Sequence, residues 1–155
     1  MSYTLEIYAY EDKLVFTGTL NMYFDKYKGL GPGLYSKPIV CLERTCTSYD
    51  IEDAIKKSIS VLETNKDTIF QENSVKTITQ MENLIFRNFK LFGINAPKSQ
   101  IIKGSTLIMI RTGSKFFVSR CVPEGKDMIV QDKVPLSPEA TIPDIASIVF
   151  DFLNI

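Results

Sequence analysis

Three acidic residues, Asp50, Glu52 and Asp53, three cysteines, Cys41, Cys46 and Cys121, and a glycine cluster, Gly29, Gly31 and Gly33, are the residues whose types and spacing bear on chemistry. Paired carboxylates can run acid–base hydrolysis of glycosides. A thiolate can act as a nucleophile. Glycines can cradle a phosphate. The chain has no histidine, which removes the commonest general base near neutral pH, the commonest zinc ligand and any Ser-His or Cys-His nucleophile pair. Asp50, Glu52 and Asp53 fall within one first helical turn, where carboxylates serve the cap and the helix dipole. The glycines of Lys28–Tyr35 are followed by Pro38 and an extended stretch instead of a helix, and no Gly-Lys-Ser/Thr ending is present, so a flexible turn is the expectation there. The odd cysteine count without metal-ligand spacing points to free thiols in a reducing compartment. Neither a metal nor a cofactor is expected.

Composition narrows the partner class. The 155 residues carry 18 basic and 18 acidic side chains, a formal net charge of zero, so no global field draws in DNA, RNA or an anionic membrane. No apolar run approaches the roughly 18 residues that span a bilayer, and the N-terminus lacks a basic stretch followed by an apolar core. One domain, residues 1–155, is expected, with no linker dividing it.

The scaffold that must position these residues contains an internal echo. Val40, Leu42, Thr47, Asp50 and Ile51 recur 94 positions later as Val134, Leu136, Thr141, Asp144 and Ile145. Each copy reads as strand, short connection and helix, and in each a Thr stands three residues before an Asp, the spacing of reciprocal N-terminal capping. Alternation over Tyr3–Tyr10 and Leu14–Leu20 around Glu11-Asp12-Lys13 predicts a hairpin, and Thr106–Arg111 with Lys115–Cys121 predicts another. Ile51, Ala54, Ile55, Ile59 and Leu62 are spaced for one helix, and Ile78, Met81, Ile85, Phe89 and Phe92 for a second that stops at Gly93. Ile145, Ile148, Val149, Phe152 and Leu153 give a third. Glu63–Asn73 reads as a polar connection and Ile101-Ile102 as a short extended piece. The sum is an α+β fold, a mainly antiparallel sheet of about six strands covered by about three helices.

Two surfaces stand out for partner binding. Tyr23, Phe24 and Tyr27 are mixed with Asp25, Lys26 and Lys28 ahead of Leu30, the composition of a protein-binding loop. The first helix adds a charged face of Glu52, Asp53 and Lys56. Phe86, Phe89, Leu91 and Phe92 give the middle helix more apolar circumference than a one-sided helix needs.

The runs LYSKPIVCLERTCTSYDIEDAIKKSISVL, FGINAPKSQIIKGSTLIMIRT and VPLSPEATIPDIASIVFDFL resemble the CdiI-type immunity proteins of bacterial contact-dependent growth inhibition systems. Shared features are a proline-bearing strand leading into a helix that opens Asp-apolar, a Gly-Ile segment before a hairpin, and a closing strand and helix of the first type. The resemblance spans about residue 34 to the C-terminus. It implies a non-enzymatic protein that binds, one to one, the C-terminal toxin domain of a CdiA-type effector, with a nuclease as the expected toxin, in the cytoplasm of the producing bacterium. It transfers no catalytic or contact residue. On it, Tyr23, Asp25, Lys26, Tyr27, Lys28, Leu30, Glu52, Asp53 and Lys56 become the expected toxin contacts. Two other readings make different demands. An enzyme would need a pocket joining at least two of Asp50, Glu52, Asp53, Cys46 and Cys121. A non-catalytic adaptor or small-ligand domain would need an apolar pocket near Gly29–Gly33.

Overall fold

Alternation in the first strand sets up a sheet with two buried faces. A computed structural model describes residues 2–21, 34–111 and 116–154. Strand β1 (Ser2–Tyr10) turns at Glu11-Asp12 into β2 (Lys13–Asn21). Two short pieces, β3 (Leu34–Tyr35) and β4 (Val40–Glu43), share the outer edge of β2. Strands β5 (Ser105–Arg111), β6 (Phe117–Glu124) and β7 (Asp127–Pro135) complete the sheet. The order is β3/β4-β2-β1-β5-β6-β7, and every described ladder is antiparallel. The fold is α+β, as expected.

Leu5, Ile7, Ala9, Leu14, Phe16, Ile108, Ile110 and Val118 point to one face. Helices α1 (Ser48–Thr64) and α5 (Ile142–Leu153) pack side by side on it through Ile51, Ala54, Ile55, Leu62, Ile145, Ala146, Val149 and Phe152. Gly18 lets α1 come close, since a Cβ there would lie 2.7 Å from Leu62 Cδ1. Tyr8, Tyr10, Val15, Leu107 and Cys121 point to the other face. They meet Ile85, Phe86, Phe89, Ile94 and Ile101 from α3 (Ile78–Arg87), the 3-10 turn Asn88–Phe92 and α4 (Lys98–Gly104). The result is a helix, sheet, helix sandwich.

Read by topology, the chain is two βββα halves joined along β1 and β5: β1-β2-β3/β4-α1 and β5-β6-β7-α5. The internal echo marks the last strand and helix of each half. Both helices start on the reciprocal cap read from the sequence. Thr47 Oγ1 accepts the Asp50 N–H at 3.2 Å while Asp50 accepts the Thr47 N–H at 2.9 Å, and Thr141 with Asp144 repeats this at 3.4 and 2.9 Å.

Two expectations are corrected. The polar connection after Glu63 is largely a helix, α2 (Lys66–Val75), and Ile101-Ile102 belongs to α4 instead of an extended piece. Each helix buries a single residue, Ile69 and Ile101, leaving little periodicity to read. The middle helix also tightens: α3 ends at Arg87 and its continuation is 3-10, closed by Gly93 in the left-handed conformation.

Candidate protein-binding surface

The expected contact residues divide into two groups. Tyr23, Asp25, Lys26, Tyr27, Lys28 and Leu30, with Gly29, Gly31 and Gly33, lie outside the described residues. Glu52, Asp53 and Lys56 lie on the outer side of α1, with Asp53 and Lys56 exposed and Glu52 half-buried. Lys56 Nζ donates to Glu52 Oε1 at 2.8 Å, and this bond, with the charges of Glu52 and then Asp53, raises the lysine pKa. Such an exposed pair one turn apart contributes little to stability. Tyr49, at 77 % exposure, stands one turn before Asp53. It was absent from the expected contacts, yet its position off the Ile51, Ala54, Ile55, Ser58, Leu62 stripe already places it outward. An aromatic anchor beside charges is the composition of a recognition surface.

The sheet supplies a second surface at its β7 edge. Arg120 pairs with Asp132 and Cys121 with Val130, so Gln131 is an extra residue and the ladder bulges there. In an antiparallel ladder, pairs that exchange hydrogen bonds alternate with pairs that exchange none. Pro123 pairs with Met128 and has no N–H, so that pair is of the second kind and the Met128 amide points away from β6. Val130, two residues on, faces the same open side. Ile129 and Val130 keep 41 % and 59 % of their surface exposed. Beyond the bulge the edge is guarded. Arg120 Nη2 holds Asp132 at 2.7 Å, Lys133 Nζ lies 4.2 Å from the centre of the Phe117 ring, and Pro135 offers no donor. Met128–Val130 is the unguarded segment of this strand.

The opposite edge is broken into two short pieces, and α2 closes one of them. Five steps of the chain, from Tyr35 to Val40, answer only three steps of β2, from Thr19 to Phe16, so the edge strand is broken between β3 and β4. Asn73 of α2 then acts as a substitute strand. Its Oδ1 accepts the Tyr35 N–H at 3.0 Å, and its Nδ2 donates to the Tyr35 carbonyl at 2.9 Å and to the Ile69 carbonyl at 2.7 Å. Beside it is a groove of about 300 Å³ lined by Lys37, Pro38, Ile39, Val61 and Ile69, with Lys37 and Glu72 paired at 3.7 Å.

Of the residues that an enzymatic site would have to join, Asp50, Glu52, Asp53 and Cys46 lie at the start of α1, and Cys121 lies on the opposite face of the sheet. Asp50 is engaged in the α1 cap, and its hydrogen bonds from the Thr47 backbone and hydroxyl lower its pKa. Cys46 packs against the α1/α5 face, and Cys41 and Cys121 against the other. All three thiols are free, and burial raises each pKa, the nearby Asp50 carboxylate adding to the effect at Cys46. A thiol so shifted carries less thiolate at neutral pH. Among the described residues no three of His, Cys, Asp or Glu gather as a metal site. No described helix is long and apolar enough to cross a membrane.

Comparison of the chain with protein-family models, with curated proteins and with solved structures finds no match in any of the three.

Proposed function

We propose that this chain is an immunity protein of the CdiI type that binds the C-terminal toxin domain of a CdiA-type effector, one to one, and neutralises it in the cytoplasm of the producing bacterial cell, with a nuclease as the expected toxin. The resemblance over residue 34 to the C-terminus supports the reading. The observation that carries a binding role is the unguarded segment Met128–Val130, in a sheet whose other edge is broken into two short strands and partly closed by Asn73 at Tyr35. An open strand edge offers main-chain donors and acceptors to a partner strand, and the side chains on its two faces select that strand. Tyr49 with Glu52, Asp53 and Lys56 is a second contact area, where charge speeds encounter and rejects wrong partners.

The test is co-expression with the C-terminal domain of the large exoprotein encoded beside this gene. A stoichiometric complex together with rescue of growth supports the reading. The absence of both complex and rescue rejects it. The reading as a small-ligand domain draws on the groove at Lys37–Ile39, which at about 300 Å³ is at the lower end of ligand pockets.

A further inference from the structure

Glu6 is the one ionisable side chain that the central strand β1 directs beneath the α3–α4 layer with a carboxyl group. Its side chain is half-buried on the face of the sheet that α3 and α4 cover, the face shared by Tyr8. Its neighbours across the sheet, Thr17 on β2 and Met109 on β5, carry no charge. The Tyr8 hydroxyl donates to Glu6 Oε2 at 3.1 Å, and no described lysine or arginine pairs with the carboxylate.

That same tyrosine is where the helical layer rests. The Tyr8 ring meets Phe86 and Phe89 edge-on, with centroids 5.5 and 5.6 Å away, and those two rings are 5.4 Å apart. One turn before Phe86, Glu82 brings a second carboxylate to this side of α3. Lys98 of α4 takes Glu82 at 2.9 Å and sits 5.6 Å from the Phe86 ring centre. Lys98 is therefore committed to Glu82, and among the described residues the negative charge of Glu6 has no cationic counterpart.

We propose that Glu6 is a proton-operated latch: protonated, it lets the α3–α4 layer close on the sheet, and ionised, it loosens that layer.

The groups facing Glu6 leave it as the one that titrates. Burial, followed by the Glu6 charge, keeps the Tyr8 phenol pKa well above its ordinary value, and burial and then the Glu82 and Glu6 charges raise that of Tyr35 on β3. Burial raises the Cys121 thiol on β6, against a lowering by Ser119 beside it, whose hydroxyl has no hydrogen-bond partner of normal geometry. These groups stay neutral through mildly acidic and neutral pH. Glu6 itself is raised, by burial first and then by the charge of Glu82, against the lowering effect of the Tyr8 bond. A carboxyl raised in the closed state leaves closure unimpaired below its ordinary value and weakens closure as pH climbs through the raised one. The chain has no histidine to confuse this window.

Hydrogen exchange of the intact protein between about pH 5 and 7, corrected for intrinsic exchange chemistry, reads the latch directly. Amides of α3 and α4 are expected to open more often as pH rises, by up to about tenfold per unit where one proton is released, while α1 and α5 do not change. In Glu6→Gln this dependence disappears. Equal pH dependence in Glu6→Gln and the parent, or none in the parent, overturns the proposal. If Glu6→Gln does not fold, a carbon-detected NMR titration of the parent's Glu6 carboxyl decides. A midpoint above that of exposed glutamates, moved down by Glu82→Gln, supports the latch, and an ordinary midpoint overturns it.

Discussion

The two halves of the molecule share a plan, three antiparallel strands and a capped helix, and differ at their outer edges. In the first half the edge strand is short and broken, and Asn73 from α2 satisfies Tyr35 with a donor and an acceptor. In the second half the edge strand is nine residues long, bulged at Gln131, and guarded by charge and proline on one side of the bulge. Closure from outside needs an element that returns to the edge, and α2 follows directly on α1 in the first half. No described helix returns to β7. The difference teaches where a partner strand would have access: the side that no described element covers.

The largest expected effect is on the closed edge. Asn73→Ala removes both bonds to Tyr35 and leaves its N–H and carbonyl without protein partners, so unfolding free energy in urea should fall by about 2 kcal/mol. A change within about 0.5 kcal/mol, the range of ordinary surface substitutions, would mean that water closes that edge as well as Asn73 does. Val130→Lys at the open edge should leave stability within about 0.5 kcal/mol and, on the proposed function, weaken binding of the toxin domain by roughly tenfold or more, about 1.4 kcal/mol. Calorimetric titration checks this, and unchanged affinity would take the open edge out of the interface.

The caps test the kinship of the halves. Thr47→Ala and Thr141→Ala should each cost about 1 kcal/mol, and unequal losses would show that the second half uses its cap differently. Hydrogen bonds from Thr47 and Thr141 lower the pKa values of Asp50 and Asp144. Their stabilisation is therefore present above the ordinary aspartate range and is lost as pH falls through the lowered values. Two hairpin turns give the last contrast. Glu11 holds φ at 52° where the turn between β6 and β7 uses Gly125 at 62°, with nothing within 4 Å of a Cβ placed there. Glu11→Gly should be neutral to stabilising by roughly 0.5 kcal/mol, and Gly125→Ala destabilising by roughly 1 kcal/mol, both read as shifts in Tm.

What the sequence made legible follows from how local each signal is. The capping boxes, the two hairpins and α1 and α5 are written within a few residues, as Thr47 with Asp50 or as the stripe Ile51, Ala54, Ile55, Leu62. Helices α2 and α4 hold one buried side chain each and carry no such stripe. The edge closure links Asn73 to Tyr35, 38 residues away, and no local pattern announces a side chain that replaces a strand. The open segment Met128–Val130 was readable as a strand, but its place at the edge is a property of strand order. Of the expected contact residues, Glu52, Asp53 and Lys56 lie among the described residues, on the outer side of α1 that helical spacing predicts. Tyr49 was within reach of the same helical spacing. Glu6 read as one polar position in an alternating strand, and its setting depends on Glu82, which a distant helix delivers.

The measurement that tests the open edge most directly is hydrogen exchange of the chain alone and in the presence of the toxin domain. Added protection over Asp127–Val130, with residues 34–43 unchanged, is the expected result. A complex that forms without protecting Asp127–Val130 would contradict the assignment of the open edge to partner binding.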